Sequence, residues 1–473
     1  MNSPDRFFVT LILKDGETAG HSVSFNEESA SKPTKKSQDP PSGTTSPKTP
    51  ELNFKNVISD FISVMDTYRR FIPMTMSLAP HLSNVIAEKG IHDFARERGK
   101  SRPDISTTER LVYELDIDHM REFAIRQDQT IAAIEGAKHL PEVMIIGLIS
   151  AYDAFLSKLL HVVIRQHEEL ILTSDKNIKF SELSKYTSIM DARNDLISRE
   201  VEAVIRQSHH EQFSWMERNF SIKLKEGLES WSKFVELCER RNLLTHTGGI
   251  VSTQYINNCS AHGHQPSGIN IGDKLKISRK YFSNSVDLIY EIGIKLGHVL
   301  WRKFAKAERE DADSALNELA FELIFSRAYP LAESLLLFGT STIKTHSNDR
   351  IKRMMTINLA NAIRLQGRTE IANKIIDRED WSATSDDFQI CAAAAKGNTK
   401  SVAEMMTKSD KSGTITSQNY RMWPIFRGMR TDPIFVNAFQ ATFGEPVKRL
   451  SSVTLANSNE TRSESSDSNQ ANS

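Results

Sequence analysis

The sequence predicts an all-α protein on three observations. Between residues 51 and 446, apolar residues recur at three- and four-residue spacing, and two-residue alternation is almost absent. Gly and Pro stand between these periodic stretches as stops and starts. In the C-terminal third, small residues recur about 40 positions apart, as stacked helical pairs require.

The bulk numbers narrow the class. A chain of 473 residues is too long for one ordinary core and predicts two or three domains. Lys+Arg and Asp+Glu balance at 60 each. That excludes a uniformly cationic coat for nonspecific nucleic-acid binding and leaves room for a local basic groove. Three cysteines, Cys238, Cys259 and Cys391, make no disulfide framework and fit a reducing compartment. The apolar run Phe7 to Leu13 is too short for a signal peptide. The longest apolar stretch, Val143 to Ile164, is broken by Ser150, Asp153, Ser157, Lys158 and His161, so a buried helix is expected there and no membrane span. A soluble, cytoplasmic chain follows as the expectation.

The elements run in order. FFVTLIL near the N-terminus predicts one short strand. Residues 1–50 form a short N-terminal segment and a Ser/Pro/Thr/Lys-rich linker, and residues 450–473 a polar tail; neither holds enough apolar surface to offset its ordering entropy, so both are expected to be disordered. Residues 51–139 form a helical lead-in. Its first helix, Phe54 to Met76, opens with Phe54, Val57, Ile58, Phe61, Ile62 and Met65 at the spacing of one face, and Pro73 kinks or ends it. A polar helix is expected from Thr107 to Ile134, then an apolar one opening on Pro141 in its first turn. The next helix spans Leu224 to His246 and stops at Gly248-Gly249. A loop from Asn257 to Gly272 precedes a helix from Tyr281 to Phe304. Across 312–446, Leu319-Ala320 with Ala332 recurs as Leu359-Ala360 with Ala372, and a looser copy holds Ala393-Ala394-Ala395 with Ala403. This spacing predicts a short solenoid similar to tetratricopeptide repeats, with Trp423-Pro424-Ile425-Phe426 as its cap.

The string with chemical content is Glu239-Arg240-Arg241-Asn242-Leu243-Leu244-Thr245-His246-Thr247-Gly248-Gly249. Arginine offers a permanently charged planar fork for phosphate oxygens. Histidine titrates near neutrality and serves as general base or acid. Five residues along an ideal helix turn through about 500°, which leaves Arg241 and His246 about 140° apart. Asn242 and His246, four apart, share a face. Either the helix distorts, or a second copy of the chain completes the pocket.

This Arg-polar-xxx-His pattern resembles the signature of the HEPN superfamily, in its abortive-infection and RiboL-PSP-like branches. Ser150-Ala151-Tyr152-Asp153-Ala154-Phe155 is similar to the helix that packs beside that motif. The resemblance covers residues 140–306 and implies a HEPN-like helical bundle followed by the repeats. It further implies a metal-independent endoribonuclease without cofactor, acting on tRNA or mRNA in stress, toxin–antitoxin or anti-phage defence. Catalytic roles fall on Arg241, Asn242 and His246, with Asp153 and Tyr152 in support; Asp153, a lone carboxylate on an apolar helix, needs a partner, either Arg241 or a group elsewhere in the core. It implies a homodimer whose two motifs face one cleft, and leaves the repeats to hold a protein regulator. Gly248 departs from the pattern, since many active relatives have an aromatic residue two places after the histidine. A catalytically inactive dimerisation or binding scaffold is the alternative.

The remaining candidates are weighed by type. Lys274, Lys276, Arg279, Lys280, Arg302 and Lys303 form the candidate RNA-facing patch. Arg240 reads as a solvated neighbour, and His209-His210 as an exposed helix face. Cys259, His262 and His264 lack a fourth zinc ligand and read as a plain loop. No phosphate loop, nucleophile elbow or His-Glu-xx-His helix is present.

Overall fold

Phe54 opens the first long helix because Asn53 caps it, its side chain accepting the Asn56 amide hydrogen. This helix, α1 (Phe54–Arg70), ends at Phe71, two residues before Pro73, as expected. In the computed structural model, residues 8–14, 17–24, 52–101, 112–167, 169–172, 186–408 and 415–447 are described, with a few isolated positions between. The expected linker at 26–50 and the tail at 450–473 lie outside them.

Almost all of the described chain is helical. The predicted N-terminal strand is half of a hairpin: β1 (Phe8–Lys14) pairs antiparallel with β2 (Glu17–Ser24). Gly, Ser and His dilute the strand propensity of β2, so only its apolar partner is conspicuous in sequence. After α1 come α2 (Ile72–Ala87), a π-helical turn (Glu88–Asp93) and α3 (Phe94–Arg98). The short strands β3 (Lys100–Ser101) and β4 (Tyr113–Glu114) pair with each other.

Two expectations fail next. Residues 113–114 are extended, and the helix predicted from Thr107 begins only at Met120. Pro141 does not open a helix; it lies inside α4 (Met120–Gln166), which runs unbroken for 47 residues. A proline in mid-helix costs about 3 kcal/mol. Packing of α1, α2 and α10 against α4 outweighs that cost. The stretch Ile117–Gln166 is long and apolar enough to cross a membrane by length and composition, and 44% of its most apolar window is buried. Ile145, Leu148, Ile149, Leu156, Leu159 and Leu160 of that stretch have no exposed surface, which is the signature of a core helix.

After a short α5 (Glu169–Leu172), helices α6 (Ile189–Ile205), α7 (His209–Phe220), α8 (Trp231–Thr247), α9 (Thr253–Ala261) and α10 (Arg279–Phe304) follow. α8 starts seven residues later than predicted, and α9 occupies the first part of the expected loop. α1, α4 and α10 share one core. Phe61 stacks on Phe155 with ring centroids 4.0 Å apart, and Arg69 binds Asp287 at 2.9 Å. The described residues of 52–323 and 330–355 form one compact unit, so the lead-in helix α1 belongs to the same body as the motif helix.

The described residues of 324–329 and 356–447 group as a second unit. From residue 309 onward come α11 (Arg309–Phe325), α12 (Tyr329–Leu337), α13 (Asp349–Arg364), α14 (Thr369–Ile376), α15 (Asp386–Ala395) and α16 (Thr399–Lys408), of which α15 packs against α16. Every recurring alanine falls inside these helices, and all but the half-buried Ala393 are buried, Ala320, Ala332, Ala360, Ala372, Ala394 and Ala395 completely. α17 (Ser417–Met422) and α18 (Pro433–Phe443) close the described chain. Between them the Trp423–Phe426 segment makes core contacts: Tyr420 packs on Phe426 at 4.7 Å, and Phe426 on Phe435 at 6.0 Å.

Candidate functional site

The site is built on α8. Its sequence WSKFVELCERRNLLTHT buries Phe234, Leu237 and Cys238 while keeping helical periodicity through the whole motif. The helix does not distort: it continues to Thr247 and ends at Gly248, whose φ is 61°. Gly249 follows at φ 85° and donates its amide hydrogen to Leu243 O at 3.0 Å. The chain then pairs with the segment before α10: Val251 donates to Asp273 O and Leu275 donates to Gly249 O, each at 2.9 Å. A Cβ on Gly249 would meet Leu275 O at 3.3 Å in a left-handed backbone. Gly249→Ala is therefore expected to cost about 1–2 kcal/mol, read as a lower urea midpoint; an unchanged midpoint would show that this anchor is dispensable.

Arg241 does not float in solvent. Its Nη2 lies 3.5 Å from Asp153 Oδ2 on α4, with both side chains 24% exposed. Asp153 Oδ1 accepts a second bond, 2.9 Å, from His209 Nε2. His209 is 6% exposed, a correction to its reading as part of an exposed face. It stands at the first position of α7 because Ser208 and Glu211 form a capping box there. Only its neighbour His210 is half-buried; burial first, then the facing His262 ring 4.7 Å away, pushes its imidazole pKa down. Asp153 thus ties three helices together through two cationic or polar partners.

Around this junction polar atoms are left over. Arg241 Nε is buried without a hydrogen-bond partner, and so is the Tyr152 hydroxyl. Tyr152 is fully buried, its ring 5.4 Å from Phe234 and 6.0 Å from His209. Burial raises the Tyr152 phenol and the Cys238 thiol well above their ordinary ranges, so neither is an anion here. Asn242 is half-buried and His246 exposed on the last turn. The structure joins Arg241 to Asp153, packs the Tyr152 ring on His209, and leaves His246 exposed on the last turn of the same helix.

Several other readings change. Arg240 is not solvated: it is 9% exposed, bonds Glu236 Oε1 at 2.7 Å and lies over the Tyr281 ring at 4.2 Å. Tyr255 and Tyr281 donate to the same carboxylate, each at 2.8 Å, so Arg240 belongs to a satisfied polar core. Arg302 leaves the basic patch, because Asp313 holds its Nη1 at 2.5 Å and its side chain is 11% exposed. Lys274, Lys276, Arg279, Lys280 and Lys303 are exposed. Among the described residues no group of His, Cys, Asp and Glu is arranged to hold a metal. Cys259 is a fully buried residue of α9, its thiol pushed up to about 12 by burial. A cavity of about 80 Å³ lies between Phe213, Leu224, Ile292 and Lys295, away from the motif side chains.

Sequence reasoning could anticipate Asp153, a lone carboxylate on an apolar helix, and missed His209, 56 residues away. The one signal for His209 is the Ser208-xx-Glu211 capping pattern, which fixes a helix start without saying what faces it. No protein-family model, curated protein or solved structure matches this chain.

Proposed function

We propose that the chain is a metal-independent endoribonuclease of HEPN type. The observation that carries this reading is the Arg241 guanidinium, steadied by Asp153 while its buried Nε keeps an unused donor. Such a group suits an oxyanion whose charge grows in the transition state. In the proposed reaction a base removes the proton of a ribose 2′-hydroxyl, and the 2′-oxygen attacks the adjacent phosphorus. The P–O5′ bond breaks, leaving a 2′,3′-cyclic phosphate and a 5′-hydroxyl once an acid protonates the leaving oxygen. His246 takes the base or acid role, Asn242 hydrogen-bonds the phosphate or orients the imidazole, and Arg241 stabilises the phosphorane-like charge. The exposed Lys274, Lys276, Arg279, Lys280 and Lys303 serve as the approach surface for tRNA or mRNA. The helices of 312–446 serve as a tetratricopeptide-like solenoid for a protein regulator, and a cytoplasmic role in stress or anti-phage defence fits this arrangement.

A second reading is favoured by one observation, the exposure of His246 about 140° around the helix from Arg241. On it the domain is an inactive HEPN-like scaffold that binds RNA or protein. Incubation of the purified chain with total RNA and tRNA in EDTA separates the two. The nuclease reading expects cyclic-phosphate ends from wild type, and loss of cleavage by about 10²–10³-fold in Arg241→Ala and His246→Ala. Absence of cleavage by wild type, or equal cleavage by both variants, moves the assignment to the scaffold.

A further inference from the structure

Exposed large apolar side chains are not spread evenly over this protein. Twelve of the twenty-one among the described residues fall between Val64 and Val143. Six of them form a ridge that starts at the root of α2 and follows it: Phe71, Met74, Leu78, Leu82, Val85 and Ile86, each 46–60% exposed. Met74, Leu78, Leu82, Val85 and Ile86 fall within an arc of about 120°, and the ridge runs about 22 Å from Phe71. The other side of α2 is occupied, since Ser83 is buried and the helix packs against α4. Over its 16 residues α2 has no Asp, Glu, Lys or Arg.

We infer that this ridge is a self-association surface and that its occupant is α2 of a second copy of the chain, packed antiparallel. The spacing argues for it. Counted from Leu78, the exposed residues stand at −7, −4, 0, +4 and +7 (Phe71, Met74, Leu78, Leu82, Val85). This order reads the same in both directions. An antiparallel copy therefore brings Met74 against Leu82, Phe71 against Val85 and Leu78 against its own counterpart, as a two-fold interface requires.

Charge argues the same way. A helix without formal charge has nothing to select a charged partner, and Arg69 and Arg70 just before the ridge are held by Asp287 and Asp66 instead of being offered to an anionic lipid surface. A net charge of zero places no long-range repulsion between two copies. The ridge presents on the order of 500 Å² per chain, at the upper end of what a solitary surface tolerates and somewhat under the ~800 Å² per partner of a standard interface. Exposed Met120, Ile125 and Ile131 on the neighbouring stretch of α4 supply further apolar area.

The ridge also begins at the motif's end of the bundle. Tyr68 at the end of α1 packs on Phe282 with centroids 6.5 Å apart, and the adjacent Tyr281 lies under Arg240 of α8. This surface stands without the catalytic reading: a monomer that cleaves RNA would overturn the surface alone, and a dimer that does not cleave would overturn the nuclease alone.

The test is the mass of the full chain in solution, by light scattering or sedimentation at tens of micromolar. Wild type is expected at twice the 53.4 kDa chain mass, and Leu78→Asp with Leu82→Asp at the single-chain mass with unchanged circular dichroism. A monomeric wild type overturns the proposal, as does a double variant that remains dimeric. Should the double variant misfold, register is read by cross-linking: Leu78→Cys is expected to form an inter-chain disulfide under mild oxidant, and Val85→Cys not. Equal cross-linking at both positions overturns the antiparallel register. A monomer that sediments with phosphatidylcholine vesicles assigns the ridge to a lipid surface and overturns the second copy.

Discussion

Replacing Asp313 by Ala lowers the unfolding free energy by about 3–5 kcal/mol, the cost of leaving a buried charge without its partner. Asp313 has no exposed surface. It holds Arg302 Nη1 at 2.5 Å and accepts the Ser347 amide hydrogen at 2.6 Å, with His346 Nδ1 at 3.5 Å. Burial opposes its ionisation, yet His346, the Ser347 amide and Arg302 together outweigh that and hold the carboxyl well below its usual range. Without it, Arg302 would be charged and nearly buried, with Nε and Nη2 already lacking partners. Urea unfolding at neutral pH checks the prediction, and a midpoint equal to wild type would refute it.

The same junction sets an acid limit. Burial, helped by the charge of Arg302, pushes the His298 imidazole down from 6.5 to about 3. His298 is 1% exposed, so the folded protein keeps it neutral where the unfolded chain binds a proton. Its contribution is complete above pH 6.5 and is lost as pH falls toward 3, at ~1.4 kcal/mol per pH unit and on the order of 5 kcal/mol in all. Asp313, with its folded pKa depressed below 3.8, adds a further loss beneath that value. His298→Asn is expected to flatten the curve between pH 6.5 and 4 while leaving the lower limb. Parallel acid curves for wild type and His298→Asn would sink this account.

Gly293→Ala is the second large effect, a loss of about 3 kcal/mol despite the better helix propensity of alanine. A Cβ at Gly293 would lie 2.3 Å from Phe61 Cε1 and 2.4 Å from Cζ. Phe61 cannot yield: it is 3% exposed, stacked on Phe155 and edge-on to Tyr290. At Gly297 the added Cβ meets the flexible end of Ile58 at 3.1 Å and reaches Phe155 Cζ at an ordinary 3.4 Å, so Gly297→Ala is expected to cost clearly less. The pair of thermal midpoints checks this. Equal losses at both glycines would mean that the α1–α10 contact is not the cause.

What the sequence determined by itself was local. The face of α1 and its end before Pro73, the stop of α8 at Gly248-Gly249, α10, and the alanines of the C-terminal helices depend on neighbours within one or two turns, where periodicity, caps and φ preferences act directly. The tertiary structure decided what those elements meet. Pro141 rests inside α4 because α1, α2 and α10 pack against that helix, a cooperation between segments that no window around residue 141 contains. Arg240 is buried by Tyr281 and Glu236, Arg302 is drawn off the surface by Asp313, and His209 reaches Asp153 across 56 residues. Only Asp153 was legible in advance, because a carboxylate on an apolar helix demands a partner. Which partner it found was decided by how three helices packed, and desolvation acts on the assembled core, where the sequence order of those helices no longer sets the distance between them.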